Sequence, residues 1–392
     1  MNSSFRLASR FADVKSSPVR DILAVVGRAE IISFAGGIPD ADLFEAADFA
    51  SAFDQVLTHQ AKRALQYATT QGEPELRELL AARLSRQLPT TSDQVQVTSG
   101  SQEGLFLVGM ALIDPGDVVL VEQPTYLAAV QAFSLAGAQL VSVPSDDHGV
   151  VPEALAAAIA EHAPKFVYLV PNFQNPTGRT MPASRREQVA EILLRTRTPL
   201  LEDDPYGALR FDGDPVAPIA SLPAMAAQSV LQNSASKIMA PGVRIGWLRA
   251  EGELLRALEI GKQAVGLQSA VTDQLAVAHY LANCDLDAHI ARVVAAYRIR
   301  RDAMVDGLRA LLPAGAEVNR PEGGMFLWVR LGGEVDTAEV LPQALDAGVA
   351  YVPGWPFYAT DPDRSTMRLS YVTNTPDVIT TGLERLARAF GW

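Results

Sequence analysis

Short apolar runs alternate with longer amphipathic stretches along the middle of the chain. Seven of the short apolar runs are predicted to be strands, at 94–98, 117–122, 139–143, 166–170, 199–203, 229–232 and 243–249. Four stretches between them repeat apolar residues at i, i+3 and i+4 and are predicted to be helices, at 101–113, 126–136, 152–163 and 183–195. This alternation predicts an α/β fold with a large, mostly parallel, doubly wound sheet.

The C-terminal third has a different pattern. Residues 251–312 read as almost unbroken helix, 323–331 and 366–372 read as strands, and 377–389 reads as a closing helix. We therefore expect a small α+β domain beside the large one. The predicted division is an N-terminal arm that includes part of the small domain (1–48), a large domain (49–284) and a small C-terminal domain (285–392).

Composition narrows the classes of function. The chain has 392 residues, of which 48% are hydrophobic and 20% charged, and this argues against disorder. The net charge of −12 argues against nucleic acid or an anionic membrane as a partner, and no apolar run is long enough to span a bilayer. A single cysteine, Cys284, and five scattered histidines predict a cytoplasmic protein without a structural metal.

One of only five lysines, Lys237, lies in an unusual setting. It follows a predicted strand within Ser-Ala-Ser-Lys, and Arg244 comes seven residues later. Two hydroxyls and a guanidinium around an amine suit a phosphorylated aldehyde cofactor that is bound covalently through that amine. The alternative, a solvated surface lysine, is the ordinary fate of a lone lysine.

Two other strand ends carry groups that could hold such a cofactor. The turn Thr-Ser-Gly-Ser-Gln at 98–102 joins a strand to a helix and is a candidate phosphate site, although the dinucleotide and Walker glycine patterns are absent. Three acids end the strand 199–203, and Asp203 could pair with a protonated pyridine nitrogen, while Tyr206 could lie beside the cofactor oxygen. A divalent metal site is the alternative use of these acids.

Two more candidates come from turns and strands further along. The segment 171–178 is rich in turn formers, and its asparagine amides could bind a ligand. Arg368 is an isolated cation in an apolar strand, which suits bidentate capture of a carboxylate or, equally, an ion pair within the protein.

Taken together, SGSQ, QNPTG, EDDPYG, SASK and the late Arg368 occur in an order that closely resembles the fold-type I, pyridoxal-phosphate-dependent aminotransferases of class I/II. The resemblance extends from about residue 20 to the C-terminus. Segments 17–23 and 32–39 look most like the 2-aminoadipate and kynurenine aminotransferase branch.

This resemblance implies a role for each matching residue. Lys237 would join the cofactor aldehyde, Asp203 would pair with the ring nitrogen, Asn175 and Tyr206 would hold the ring oxygen, and Tyr126 would stack on the ring. The phosphate would be surrounded by Ser99, Gly100, Ser101, Gln102, Ser234, Ser236 and Arg244. Arg368, with Asn175 and Gly37, would bind the substrate. A homodimer is also implied, in which Tyr67 reaches into the neighbouring active site.

The resemblance further implies a ping-pong transamination between an L-amino acid, of the 2-aminoadipate, glutamate, aromatic or branched-chain type, and a 2-oxo acid such as 2-oxoglutarate. Arg20 is a candidate for binding an acidic side chain, and a surface ion pair with Asp21 or Glu45 is its alternative. Asn233 and Ala235 replace the glycine or aromatic residues usual around the lysine, from which we expect a reshaped pocket.

Two alternatives to a transaminase remain open at this stage. The same cofactor and fold also serve decarboxylases, lyases, cyclases and oxidases. Ligand-sensing domains fused to winged-helix regulators share the resemblance too, but only about thirty residues precede the Ser33–Gly37 motif here, fewer than a DNA-binding domain needs, and the charge is acidic.

Overall fold

The structure is a computed structural model that describes residues 8–11 and 30–392. The strands in this part of the chain are β1 (Ile32–Ser33), β2 (Val95–Thr98), β3 (Val118–Gln123), β4 (Gln139–Asp146), β5 (Gly149–Val150), β6 (Phe166–Leu169), β7 (Leu200–Asp203), β8 (Ser229–Ser234), β9 (Gly246–Arg249), β10 (Glu317–Val318), β11 (Phe326–Arg330), β12 (Val349–Ala350), β13 (Val352–Pro353) and β14 (Thr366–Ser370).

The strands alternate with α-helices along the chain. The α-helices are α1 (Ala46–His59), α2 (Ala61–Ala64), α3 (Pro74–Leu84), α4 (Ser101–Leu112), α5 (Leu127–Ala136), α6 (Pro152–His162), α7 (Ala183–Thr196), α8 (Gly252–Gly266), α9 (Val271–Asn283), α10 (Leu286–Leu311), α11 (Thr337–Asp346) and α12 (Pro376–Phe390). No helix of the described ranges is both long and apolar enough to cross a bilayer.

Eight strands form the main sheet, in the order β2-β9-β8-β7-β6-β3-β4-β5. The five central strands β8, β7, β6, β3 and β4 run parallel, while β9 is antiparallel to both of its neighbours and β5 is antiparallel to β4. The predicted α/β fold is thus confirmed, with a mixed rather than wholly parallel sheet.

Both faces of this sheet are buried, which explains why its strands are apolar along their length rather than alternating. Along β3, Val119 and Val121 pack into the larger core, and Leu120 between them packs into a separate core on the opposite face. On β6, Phe166 and Tyr168 face the first core, whereas Val167 and Leu169 face the second.

All seven predicted strands are present, but the predicted start of the last one is three residues too early. The chain from Pro241 to Val243 forms a 3-10 turn, and Arg244 has a φ of 49°, so the strand begins only at Gly246. Proline at the first position of the turn favours this local structure over an extended one. The segment 251–312 is likewise three helices, α8, α9 and α10, and not one.

A second, antiparallel sheet in the order β10-β11-β14-β13 lies in the C-terminal third, where α10 packs against α12. The N-terminal segment joins this region, because the Phe34 N–H donates to the Ala350 carbonyl and the Ser370 N–H donates to the Phe34 carbonyl. The domain limits at 48/49 and 284/285 stay a prediction.

Candidate active site

A cavity of about 410 Å³ opens at the carboxyl ends of the central parallel strands, where α/β sheets bind ligands. Twelve of the residues singled out in the sequence line it: Gly37, Ser101, Gln102, Tyr126, Asn175, Asp203, Tyr206, Ser234, Ser236, Lys237, Arg244 and Arg368. The turns after β2, β6, β7 and β8 contribute most of them, while Gly37 and Arg368 come from the N-terminal segment and the small sheet.

Lys237 presents its amine to this cavity. Its Nζ donates a hydrogen bond to the Gly37 carbonyl at 2.8 Å. Burial, assisted by the positive charges of Arg368 and Arg244, lowers the pKa of the Lys237 ammonium to about 8. A lysine amine with this pKa is partly neutral near neutral pH and can act as a nucleophile or as a base.

The three acids at and just after the end of β7 have three different environments. Glu202 accepts hydrogen bonds from the N–H groups of Ile219 and Ala220, at 3.0 and 2.9 Å, and so it supports a turn. Asp204 accepts from the Asn172 amide at 2.9 Å and from the Gly207 N–H at 3.0 Å. Of the three, only Asp203 lines the cavity.

Asp203 keeps one oxygen available. Its Oδ2 accepts a hydrogen bond from the Tyr168 hydroxyl at 2.9 Å, whereas its buried Oδ1 has no partner in the described part of the chain. Burial raises the pKa of the Asp203 carboxyl to about 6, and the side chains of Gln232 and Tyr168 oppose that rise. A protonated pyridine nitrogen at Oδ1 would satisfy this otherwise unpaired acceptor.

The cavity wall forms a concavity at the start of α4, where it is lined by Ser101 and Gln102. Gly100 caps this helix with a φ of 82°, and a Cβ at that position would collide with the Arg244 guanidinium. A Cβ at Gly246 would lie 2.7 Å from the Gly100 carbonyl carbon, so both glycines are required by close packing.

Donors surround this concavity. Ser236 donates its N–H to the Ser234 hydroxyl at 3.1 Å, and Arg244 Nη1 lies 3.5 Å from the Ser236 hydroxyl. Together with the free N–H groups of the first turn of α4, these side chains suit an anion such as a phosphate ester. The donor set and the open oxygen of Asp203 therefore fit pyridoxal phosphate.

Asn175, Tyr206 and Arg368 form a connected group on the other side of the cavity. The Asn175 amide donates to the Tyr206 hydroxyl at 3.4 Å, and Asn175 Oδ1 accepts from Arg368 Nη1 at 2.8 Å. Burial raises the pKa of the Tyr206 phenol above its usual value. These contacts place a phenol and an amide together near the cofactor position.

Arg368 is a buried cation without an acidic partner among the described residues. Its Nη2 donates to the Ala35 carbonyl at 2.8 Å, and its guanidinium carbon lies 4.2 Å from the Phe326 ring centre and 5.1 Å from that of Phe357. Burial lowers the pKa of Arg368 to about 10. The ion pair with a protein carboxylate, which the sequence left open, is therefore not formed, and a ligand carboxylate would supply the missing charge.

Three sequence candidates, Ser99, Gly100 and Tyr67, do not line the cavity. The N–H, hydroxyl and carbonyl of Ser99 are hydrogen-bonded within the protein, and its contact with a phosphate stays a prediction. Tyr67 is 78% exposed and outside the cavity. Arg20 and the 17–23 motif lie outside the described residues.

The expected reshaping of the pocket at the lysine motif is wrong. Asn233 lines a different cavity on the far side of β8 and accepts a hydrogen bond from the Ser234 N–H, while Ala235 packs into the main core. Neither side chain borders the cavity that contains Lys237. Alternation along an extended segment sends these two residues away from the site.

Sequence reasoning missed several wall residues, among them Tyr168, Leu127, Gln131 and Phe357. Tyr168 had a detectable signal, because a phenol within an otherwise apolar buried strand needs a hydrogen-bond partner. No group of three or more His, Cys, Asp or Glu residues with metal-binding geometry occurs within the described ranges.

The chain is similar to known proteins over most of its length. The family described as aminotransferase class I and II matches residues 29–386. Aromatic-amino-acid aminotransferase 1 of Thermococcus litoralis is 39% identical, over 95% of this chain and 91% of that one.

Two solved structures match almost the whole chain. The Pyrococcus horikoshii kynurenine aminotransferase, in complex with PMP, is 38% identical with a TM-score of 0.93, over 98% of this chain and 96% of that one. The α-aminoadipate aminotransferase of Thermus thermophilus, complexed with a phosphopyridoxyl-leucine, is 33% identical with a TM-score of 0.92, over 98% and 97%.

Proposed function

Because the chain belongs to the class I and II aminotransferase family, we propose that it transfers the amino group of an L-amino acid to a 2-oxo acid such as 2-oxoglutarate through the residues of this cavity. The protein is a pyridoxal-phosphate-dependent aminotransferase. The residue roles and the substrate range below are our proposal.

One observation carries the proposal most directly. An amine with a pKa of about 8 and a buried guanidinium without an acidic partner in the described chain line the same cavity, on Lys237 and Arg368. An α-amino acid carries the two groups that these side chains would meet, a carboxylate and a proton at the adjacent carbon. Asp203 Oδ1 supplies the third requirement, an anion for a cofactor nitrogen.

When bound, pyridoxal phosphate supplies an aldehyde that joins the substrate amine and a ring that accepts the electron pair released at the α-carbon. Arg368 holds the substrate carboxylate and thereby fixes the orientation of the α-carbon. Lys237 Nζ, in its neutral form, would take the proton from that carbon and would then donate it to the cofactor carbon that came from the aldehyde. Asp203, ionised above a pH of about 6, keeps a proton on the ring nitrogen.

Substitution of Tyr168 tests the role of Asp203. In Tyr168→Phe the carboxylate loses a hydrogen bond that stabilises its charged form, so its pKa should rise by about one to two units. Since Asp203 acts when ionised, the acidic limb of the kcat/KM profile should move to higher pH by the same amount. The measurement is kcat/KM against pH for both proteins.

The matched control is Tyr351→Phe, which also removes a buried hydroxyl, one that donates to the Thr337 carbonyl away from the cavity. Its acidic limb should coincide with that of the wild type. An unmoved limb in Tyr168→Phe would exclude Asp203 as the group that titrates there.

We propose a substrate range that includes acidic and aromatic amino acids. Relatives are named for aromatic amino acids, kynurenine and α-aminoadipate. The cavity wall supports a mixed range because it combines apolar Ile38 and Leu127 with the amide of Gln131. Within this proposal, Arg20 would bind the distal carboxylate of an acidic donor.

The deciding experiment adds single amino acids to the holoenzyme without any 2-oxo acid. The absorbance of the aldehyde form should give way to that of the amine form, and 2-oxoglutarate should reverse the change. We expect 2-aminoadipate or glutamate to react fastest, and we expect Arg20→Ala to remove that advantage, about ten-fold, while aromatic donors keep their rates.

Arg10→Ala, which changes an exposed arginine of the same N-terminal part, is the control. Release of carbon dioxide or peroxide, or a spectrum that never reaches the amine form, would contradict transamination. Equal losses for acidic and aromatic donors would instead contradict only the role of Arg20.

A homodimer and a cytoplasmic location complete the proposal. Tyr67 and Leu65 are 78% and 75% exposed and lie two residues apart just after α2, and exposure of such large apolar groups favours coverage by a second copy. The single cysteine of the chain is consistent with a reducing compartment.

A further inference from the structure

A buried ion pair lies beneath the loop that begins α4. Lys262 Nζ, on α8, is 2.8 Å from Glu103 Oε2, in the first turn of α4. The lysine side chain is 0% exposed and the glutamate side chain 12% exposed. Burial of a charged pair costs solvation free energy, so its place in the fold calls for a reason beyond stability.

The pair is attached directly to the loop. Glu103 Oε2 also accepts a hydrogen bond from the Ser99 N–H at 2.5 Å. Lys262 Nζ donates to the Ser269 hydroxyl at 3.0 Å, and that hydroxyl accepts from Ser99 Oγ at 3.2 Å. Two independent chains of hydrogen bonds therefore run from Lys262 to Ser99.

Ser99 also contacts Arg244, which lines the cavity. Arg244 Nη2 donates to the Ser99 carbonyl at 3.0 Å. The N–H, hydroxyl and carbonyl of Ser99 are thus all hydrogen-bonded. The next residue, Gly100, caps α4, and the helix begins at Ser101. The position of the free N–H groups of Ser101 and Gln102 thus depends on this network.

The ion pair also determines the net charge beside the start of α4. A carboxylate in the first turn of a helix lies beside the site where the helix end would attract an anion, and it would repel a phosphate. Lys262 places an ammonium against that carboxylate and cancels its charge without occupying the concavity.

We propose that Lys262 is a positioning residue for the cofactor phosphate: through Glu103 and Ser269 it fixes the loop at Ser99, and it neutralises Glu103 so that the start of α4 attracts a phosphate. This inference rests on the proposed use of that loop as the phosphate site. Lys262 touches neither the cavity nor the reacting atoms.

The test compares two ligands that differ only in the phosphate. The full-length protein is freed of cofactor and titrated with pyridoxal phosphate and with pyridoxal, and both dissociation constants are measured. In Lys262→Met, pyridoxal phosphate should bind roughly 10- to 100-fold more weakly, while pyridoxal should change by less than about three-fold.

Glu103→Gln separates charge from packing. The amide oxygen can still accept the Ser99 N–H, and the unpaired ammonium now favours an anion, so pyridoxal phosphate should bind as tightly as in the wild type or more tightly. The double variant Lys262→Met with Glu103→Gln should recover part of the affinity for pyridoxal phosphate lost in Lys262→Met but stay below the wild type, because the uncompensated charge is removed while the link from Lys262 to Ser99 is still missing. It also provides the test if the single lysine variant fails to fold.

Lys165→Met is the matched control, because Lys165 forms a lysine–carboxylate pair with Asp117 at 3.1 Å away from the cavity. Both ligands should bind this variant as they bind the wild type. Equal weakening of both ligands in Lys262→Met, or no weakening, would overturn the inference. Equal affinity of the wild type for the two ligands would instead show that the proposed phosphate site is wrong.

Discussion

Replacement of Lys237 by alanine is expected to lower the rate of conversion of aldehyde to amine cofactor by about 10⁴-fold, the upper range for loss of a general acid–base group. The effect should be this large because one amine both binds the cofactor and moves the proton at the α-carbon. The measurement is a single-turnover reaction with an amino-acid donor, followed by absorbance.

Two further observations separate a catalytic loss from a folding defect. Added methylamine should restore part of the rate in Lys237→Ala, since a free amine can enter the cavity and carry the proton. Borohydride reduction of the wild type should attach the cofactor to the peptide that contains Lys237 and leave the variant unlabelled. Lys62→Ala, at an exposed lysine, should keep full activity, and a loss below about ten-fold in Lys237→Ala would refute the assignment.

Replacement of Arg368 by glutamine should lower kcat/KM for an α-amino acid by about 10²- to 10³-fold, as expected when one partner of a buried charge pair is removed. The substrate carboxylate would then enter a buried site without a cation. The corresponding amine that lacks the carboxylate should react equally slowly, within about three-fold, with the wild type and the variant.

Arg330→Gln is the control for general damage to the small sheet, because Arg330 lies on β11, adjacent to β14, and pairs with Asp363 at the surface. It should leave kcat/KM nearly unchanged. If Arg368→Gln slows the amine as much as the amino acid, the guanidinium supports the cavity and does not bind the carboxylate.

Residues at strand ends and in the turns that follow them were the most predictable part of this site. Asp203 ends one apolar strand and Lys237 lies in the turn after another, and the parallel sheet brings such ends together. Local pattern also predicted seven of the eight strands of the main sheet, because both of its faces are buried and each of these strands is a recognisable apolar run. The two-residue strand β5 was not predicted.

Contacts between distant segments could not be predicted in this way. Lys262 and Glu103 are 159 positions apart, and each looks like an ordinary polar residue of an amphipathic helix. The contact of Ser99 with Ser269 could not be predicted for the same reason, since Ser269 comes from a separate helix junction. Arg368 was recognised as an isolated cation, but the rings of Phe326 and Phe357 beside it were not.

The enclosure of Arg368 has a consequence for the thermodynamics of substrate capture. Hydrogen bonds to Asn175 and Ala35 and two flanking rings leave the guanidinium little rotational freedom before any ligand arrives. A free arginine side chain loses conformational entropy worth about 2 kcal/mol when it is immobilised. Because Arg368 loses this entropy during folding, a substrate carboxylate binds to a guanidinium that is already fixed in place. Carboxylates are therefore selected by how well their orientation fits the guanidinium, and not by movement of the protein.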